Sequence, residues 1–248
     1  MINLLHGDCI EEMAKMDANS VDLTVTSPPY DNLRTYEGTL QWNEGIWKQV
    51  LEGLYRVTKK GGVVVWVVGD ATINGSETGT SFKQALYAME CGFNLHDTMI
   101  YEKAGTGACG SNYAYWQAFE YMFVLSKGKP NATNRIETDK PCASGGSRIK
   151  KDGSRKTEKR NIEGKKQKLN NIWRFRVGGK SEWKHPAKFP EKLAHDHIIS
   201  WSNEGDTVFD PFLGSGTTGK MAKQLNRSFI GIEKVEDYYN IAKARINL

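Results

Sequence analysis

Apolar residues recur along this chain in two distinct periods. Between Trp47 and Lys60 they fall at Trp47, Val50, Leu51, Leu54 and Val57, spacings of three and four that predict one face of a helix. Gly61-Gly62 reads as its C-terminal cap. Val63 to Val68 is a continuous, β-branched run, the pattern of a strand buried on both faces. Shorter runs predict strands at Ile2–Leu5, Val21–Thr26, His96–Tyr101, Tyr121–Leu125, Thr207–Phe209 and Ser228–Ile232. Helices are predicted at Cys9–Met16, at Ser81–Glu90 with Gly92 as its cap, and at Glu191–Ser202, Thr217–Leu225 and Glu236–Ile246. Alternating strands and helices imply an α/β fold with a doubly wound, mainly parallel sheet. The pattern breaks between Asn131 and Lys180, where Lys, Arg, Gly, Ser and Asn dominate. The chain therefore divides into one α/β domain, 1–129 with 181–248, and an insert, 130–180.

Charge sharpens that division. Of 34 Lys and Arg, 19 lie between Lys127 and Lys188, with 6 of the 29 Asp and Glu. That segment carries +13 and leaves −8 for the rest of the chain. A cationic insert on an acidic body points to a polyanion, although a solvated loop has the same composition. No apolar run approaches the ~20 residues of a membrane span. The start, MINLLHGDCIEEM, has no basic region and carries acids early, so a cytoplasmic location is expected. Cys9, Cys91, Cys109 and Cys142 are scattered without a CxxC pair, which favours free thiols over a zinc site or disulfides. His185, His195 and His197 lack a metal-like partner set, so no metal is expected, and surface or capping roles are predicted for them.

Two motifs bear chemistry. The strand ending at Thr26 runs into Ser27-Pro28-Pro29-Tyr30. Two prolines lack the N–H groups a central strand needs, so the chain turns sharply at the strand end. The turn is either structural, with Tyr30 packed in the core, or a device that presents an acceptor oxygen and a flat ring. The second motif, DPFLGSGTTGKMAKQL, starts at Asp210 after an apolar strand and opens a helix. Gly214 and Gly216 permit a tight bend, and the free N–H groups of the helix start attract an anion. It is not a P-loop, since Lys220 is followed by Met221. It does match G-x-G-x-x-G at Gly214, Gly216 and Gly219. Little chain remains after Glu233 for the rest of a dinucleotide fold, unless the order is permuted. Asp210, the glycines, Thr217-Thr218 and Glu233 together indicate a nucleoside-bearing cofactor, with Glu233 placed to accept ribose hydroxyls.

These motifs resemble those of the DNA amino-methyltransferases. The tetrapeptide (D/N/S)PP(Y/F) stands as Ser27-Pro28-Pro29-Tyr30, and F-x-G-x-G as Phe212-Leu213-Gly214-Ser215-Gly216. The catalytic motif precedes the cofactor loop with a basic region between, the order of the family's β group. An HP-x-x-x-P element stands at His185–Pro190, with Phe189 where the family usually has Lys. The resemblance covers nearly all of the chain outside 130–180. It implies a Rossmann-like methyltransferase sheet and S-adenosylmethionine as cofactor. By the resemblance, Asp210, Pro211, Phe212, Gly214, Ser215 and Gly216 hold the methionine part, and Thr217 also binds the cofactor. Glu233 holds the ribose, Asp8 accepts the adenine amine, and Ile10 and Pro190 line the adenine pocket. Asp8 is also suited to a plain helix N-cap.

Exocyclic amines are weak nucleophiles because their lone pair is delocalised into the ring. Two acceptors on the two N–H bonds, Ser27 Oγ and the Pro28 carbonyl, would aim that pair at the methyl group. Pro29 stiffens the turn and Tyr30 stacks on a base flipped from the duplex. In the resembled family, Ser at the first motif position goes more often with cytosine N4 and Asp with adenine N6, so N4 is favoured and N6-adenine is the alternative. RNA as substrate, and a DNA-binding module with an inactive pocket, are further readings. Expected partners are double-stranded DNA, a second copy of the chain and a cognate restriction endonuclease. In the insert, Lys150, Lys151, Arg155 and Lys156 suit phosphates. Arg174 and Arg176, in Asn170-Asn171-Ile172-Trp173-Arg174-Phe175-Arg176, suit base edges. Ile172, Trp173 and Phe175 fit a strand packed on the body equally well.

Overall fold

The computed structural model describes residues 1–29, 42–104, 115, 117–142, 145–159, 164–176 and 190–247. Its elements run β1 (Ile2–His6), α1 (Cys9–Lys15), β2 (Val21–Thr26), α2 (Glu44–Val57), β3 (Thr58–Val68), β4 (Thr72–Ile73), β5 (Ser76–Glu77), α3 (Thr80–Glu90), β6 (Asn94–Ala104) and β7 (Phe119–Ser126). Then follow β8 (Glu137–Pro141), β9 (Gly145–Ile149), β10 (Arg155–Lys159), β11 (Lys166–Lys168), β12 (Ile172–Arg176), α4 (Glu191–Trp201), β13 (Thr207–Asp210), α5 (Thr217–Gln224), β14 (Ser228–Glu233) and α6 (Glu236–Asn247). Among the described residues, no helix is long and apolar enough to cross a membrane.

Eight strands form one sheet in the order β1-β14-β13-β2-β3-β7-β6-β12. All neighbours are parallel except the two pairs that involve β7. The permuted order is what completes the fold. The first strand of the chain pairs in parallel with the last, His6 opposite Glu233. From β2 the chain moves outward to β3, and from β13 it moves the opposite way to β14. The boundary between β13 and β2 is therefore a switch point, where ligands of open α/β sheets bind beyond the strand ends.

Residues Val63–Val68 are buried on both faces, as their unbroken apolar run requires. Val64, Trp66 and Val68 join a core cluster with Met13 of α1, Trp47, Val50, Leu51 and Leu54 of α2, and Ala85 and Ala88 of α3. The opposite helix layer contributes Leu193, Ala194 and Ile198 of α4 and Met221 and Ala222 of α5, all buried.

Gly61-Gly62 does not cap α2. The helix ends at Val57, where the Thr58 N–H donates to Leu54 O, and β3 begins at once. The glycines instead form a bulge, since Thr58 pairs with Val21 but Val63 pairs with Leu23. Gly61 takes φ +80°, and a Cβ on Gly62 would lie 2.9 Å from Lys59 O and 3.0 Å from Asp22 O. The Gly61 N–H donates to Lys127 O, tying the bulge to the end of β7.

Arg135–Asn170 is a compact unit of its own, separate from Met1–Asn134 with Asn171–Leu248. It contains two antiparallel pairs, β9 with β10 and β8 with β11. The expected insert of 130–180 thus gives up Ile172–Arg176 to the large sheet, where β12 pairs in parallel with β6. Trp173 and Phe175 are buried, so those aromatics pack the edge of the large sheet. His197 also departs from expectation. It is fully buried, its ring centroid lies 4.5 Å from that of Trp173, and burial pushes its pKa down to about 3.

Candidate active site

The site lies at the C-terminal ends of β2, β13, β14 and β1. The side chain of Thr26, last in β2, donates to Asp210 Oδ1 at 2.7 Å. Ser27 and Pro28 follow directly, so one buried hydrogen bond ties the proline turn to the start of the glycine loop. Thr218 reinforces the join by donating to Val25 O at 3.2 Å. Pro28 is buried, and Ser27 and Pro29 are half-buried; Tyr30 lies outside the described residues.

Asp210 is the last residue of β13 and is buried. Its Oδ1 also accepts the Phe212 N–H at 3.1 Å. Burial raises its pKa to about 6, against hydrogen bonds from the Thr26 hydroxyl and the Phe212 N–H that lower it. Glu233 closes β14. Its Oε2 accepts the Gly214 N–H at 2.7 Å and its Oε1 the Val235 N–H at 2.9 Å. Burial raises its pKa too, and its charge adds to the rise at Asp210. Among the described residues neither acid forms an ion pair. Two buried carboxylates on one rim, hydrogen-bonded but without a cationic partner among the described residues, suit a ligand that brings positive charge.

The glycine loop is shaped as much by packing as by ligand approach. Gly216 has φ +80° and starts α5, and a Cβ there would lie 3.0 Å from that of Ala242. A Cβ on Gly219 would lie 2.5 Å from Ile246 Cδ1 and 2.6 Å from Phe229 Cε1. The third glycine of G-x-G-x-x-G thus admits α6 and the β14 side chain, not a pyrophosphate. Phe212 is fixed edge-on against Trp42, with centroids 5.5 Å apart. Ser215 and Thr217 are buried and bonded to Arg245 of α6. Pro211, buried, leads into this loop.

The adenine side of the expected pocket is assembled from the chain start. The Gly7 N–H donates to Glu233 O at 3.0 Å, which sets Asp8 beside the end of β14. Asp8 is the N-cap of α1, its Oδ1 accepting the Ile10 N–H at 2.9 Å, while Oδ2 lies 3.2 Å from Lys234 Nζ. Its capping reading is therefore realised. Ile10 packs against the core, and Pro190 is the N-cap of α4. His185–Phe189 lie outside the described residues. Among the described residues, no group of His, Cys, Asp and Glu could hold a metal.

Sequence reasoning did not single out Thr26, Arg245 or Glu191. Thr26 was legible by its place next to Ser27. Arg245 carried no local signal, being one basic residue on a terminal helix.

Lys150, Lys151, Arg155 and Lys156 are exposed at the β9–β10 hairpin. Adjacent strand residues point to opposite faces, so Arg155 and Lys156 do not line one track as neighbours. Arg174 and Arg176 are exposed on β12, and Arg174 Nε lies 3.3 Å from Glu102 Oε1.

The sequence profile of the DNA methylase family, which spans the N6 and N4 amino-methyltransferases, matches residues 21–244. The chain belongs to this family. S-adenosylmethionine is accordingly its cofactor and methyl donor, and the buried acids and glycine loop fit that cationic ligand. The methylase is 52% identical over 253 residues to orphan methyltransferase M.BamHII of Bacillus amyloliquefaciens, covering 97% of this chain and 90% of that one. It is 28% identical over 255 residues to the DNA adenine methyltransferase YhdJ of Escherichia coli, covering 99% and 82%. Its fold matches PvuII DNA methyltransferase (cytosine-N4-specific) with a TM-score of 0.74, at 19% identity, over 98% of this chain and 86% of that one.

Proposed function

We propose that the protein is a site-specific methyltransferase of double-stranded DNA that acts on the N4 amine of a flipped cytosine. The observation that carries this reading is the 2.7 Å hydrogen bond from Thr26 to Asp210, which sets the Ser27-Pro28-Pro29 turn against the glycine loop. Acceptor groups for an amine and the cradle for the methyl donor then share one edge. S-adenosylmethionine supplies an electrophilic methyl group on a sulfonium. Asp210 would hold its ammonium, the loop from Pro211 to Thr217 the rest of the methionine part, and Glu233 the ribose hydroxyls. Asp8, Ile10 and Pro190 bound the adenine.

Ser27 Oγ and the Pro28 carbonyl hold the two N–H bonds, so the nitrogen lone pair points at the methyl carbon. Orientation of this kind can contribute several kcal/mol, about 7–11 at its upper limit. As the N–C bond forms, the S–C pair returns to sulfur and the nitrogen becomes positive. The same two acceptors stabilise that charge. A serine hydroxyl is a poor base at neutral pH, so the surplus proton leaves to water after transfer. Tyr30 supplies the stacking face for the flipped base, and the Arg135–Asn170 unit supplies phosphate contacts.

Serine at the first motif position supports cytosine. N6-adenine is the second reading, favoured by the similarity to the adenine enzyme YhdJ. Mapping modified bases in DNA from a methylase-free host that expresses the protein tests both. N4-methylcytosine at one sequence is expected. N6-methyladenine would overturn the base assignment. Absence of any modified base, with no labelled methyl transferred to DNA in vitro, would mean an inactive pocket.

A further inference from the structure

We propose that Arg245, from the last helix, is a positioning residue that sets the hydroxyl directions of the cofactor loop. The inference rests on the reading that this loop holds the methionine part. Ala242, Arg245 and Ile246 share one face of α6 by their spacing of three and four. Ala242 and Ile246 are buried and sit where any side chain on Gly216 or Gly219 would stand. That close packing delivers Arg245 to the loop with its side chain 11% exposed. Its Nη1 lies 3.1 Å from Ser215 O, 2.9 Å from Ser215 Oγ and 3.0 Å from Thr217 Oγ1. Its Nη2 lies 2.7 Å from Glu191 Oε1, which also takes Lys220 Nζ at 2.8 Å.

A guanidinium donates and never accepts. Both hydroxyls must therefore accept from it, and their own hydrogens must be given elsewhere. Without Arg245 each hydroxyl could turn and spend its hydrogen on a nearby backbone carbonyl, as serine and threonine commonly do. With Arg245 in place they remain available as donors to an acceptor in the loop, such as the methionine carboxylate. Stabilising α5 does not explain the arrangement, because a cation at a helix N-terminus opposes the dipole. Glu191 offsets that cost. Because Glu191 follows Pro190, the same guanidinium also ties the methionine side of the pocket to the start of α4.

The test is a double-mutant cycle on the full chain, read as S-adenosylmethionine Kd by calorimetry and as kcat and KM with DNA. Measurements are made well below each variant's Tm. Arg245→Ala is expected to raise Kd and KM roughly tenfold, the loss of about one hydrogen bond, with a smaller change in kcat. Ser215→Ala/Thr217→Val is expected to lose a similar amount. Adding Arg245→Ala to that pair is expected to change little more, because the arginine acts through those hydroxyls. A merely structural arginine would lower Tm and give additive losses, which would overturn the proposal. So would wild-type Kd in Arg245→Ala. Should that variant not fold, Arg245→Lys decides. It keeps the charge toward Glu191 but not the fork, so an intermediate Kd is expected and an unchanged one refutes the role. Glu233→Ala separates the two levels of the argument. If it and the hydroxyl variants all leave Kd unchanged, the cofactor is misplaced and both readings fall. If they weaken binding while both Arg245 variants do not, only the arginine proposal falls.

Discussion

Replacing Asp210 with asparagine isolates the cost of keeping a buried acid at the end of β13. Its pKa rises from 3.8 to about 6, chiefly through burial. At about 1.4 kcal/mol per unit, that shift is worth up to about 3 kcal/mol. The sign follows from linkage. The folded-state value is raised, so Asp210 contributes stability fully below its unfolded value near 4. That contribution is lost as pH rises through about 6. Roughly 2–3 kcal/mol of the change falls between pH 4 and pH 7.5.

Asparagine keeps an oxygen to accept from Thr26 and the Phe212 N–H, and removes the charge. Its amide hydrogens can lack partners, at a cost of ~1–3 kcal/mol. That cost does not vary with pH, so the slope and not the absolute stability is diagnostic. Denaturant unfolding of both proteins at intervals from pH 4 to pH 7.5 measures it. Subtracting the two curves removes every shared titration, including His197, whose lowered pKa destabilises the fold as pH falls below about 6.5. Asp210→Asn is expected to gain on the wild type by ~2–3 kcal/mol across that range, about 2–4 °C of Tm per kcal/mol for a chain of this size. A pH-independent difference would refute the account of a strained, ionised Asp210.

Cofactor binding should tighten as pH rises through about 6, with proton release below that pH, because a cationic ligand favours ionised Asp210; calorimetry in buffers of different ionisation enthalpy reads the proton count. Ser27→Ala should lower turnover roughly a hundredfold or more while leaving S-adenosylmethionine Kd nearly unchanged, since only one aimed acceptor is lost. Glu233→Ala should weaken cofactor binding by ~1–3 kcal/mol, measured by calorimetry, with a Tm shift that reports the lost contacts to Gly214 and Val235. Neutralising Lys150, Lys151, Arg155 and Lys156 together should weaken binding to all duplexes and flatten its salt dependence, whereas Arg176→Ala should relax discrimination at one position of the site; binding titrations over salt and sequence would expose the reverse pattern.

What was legible in the sequence divides along physical lines. Val63–Val68 could be read as a doubly buried strand because burial on both faces leaves no polar position. The proline turn and glycine loop could be read because their residues have few other uses at strand ends. Gly61-Gly62 misled because a glycine after a helix serves equally as a cap or a bulge, and only the partner strand decides. The hairpins of Arg135–Asn170 were not readable, since their sequences lack apolar alternation. IWRFR alternates with period two, but Arg on the open face of an edge strand looks the same as Arg aimed at DNA. His197 was misplaced because its neighbours in α4 include Asp196 and Lys192, and burial there is set by Trp173 from a distant strand.

The permuted strand order gives these separate features a common cause. Pairing β1 with β14 brings residues 2–6 against 229–233, so the ends of both strands share one rim with the glycine loop. Gly7 is bonded to Glu233, Asp8 caps the helix beside it, and α6 holds the glycine loop through Ala242, Arg245 and Ile246. The Ser27-Pro28-Pro29 turn leaves β2, in the middle of the sheet, and is joined to this rim by Thr26. Contacts of such long sequence separation gain nothing until most of the sheet exists, since loop closure must be paid before they form. The buried acids add a cost that the bound cation relieves. A methyl donor that binds only the folded sheet then stabilises it by mass action. The long-range pairing that makes this rim costly to assemble is the same pairing that a ligand bound there would stabilise.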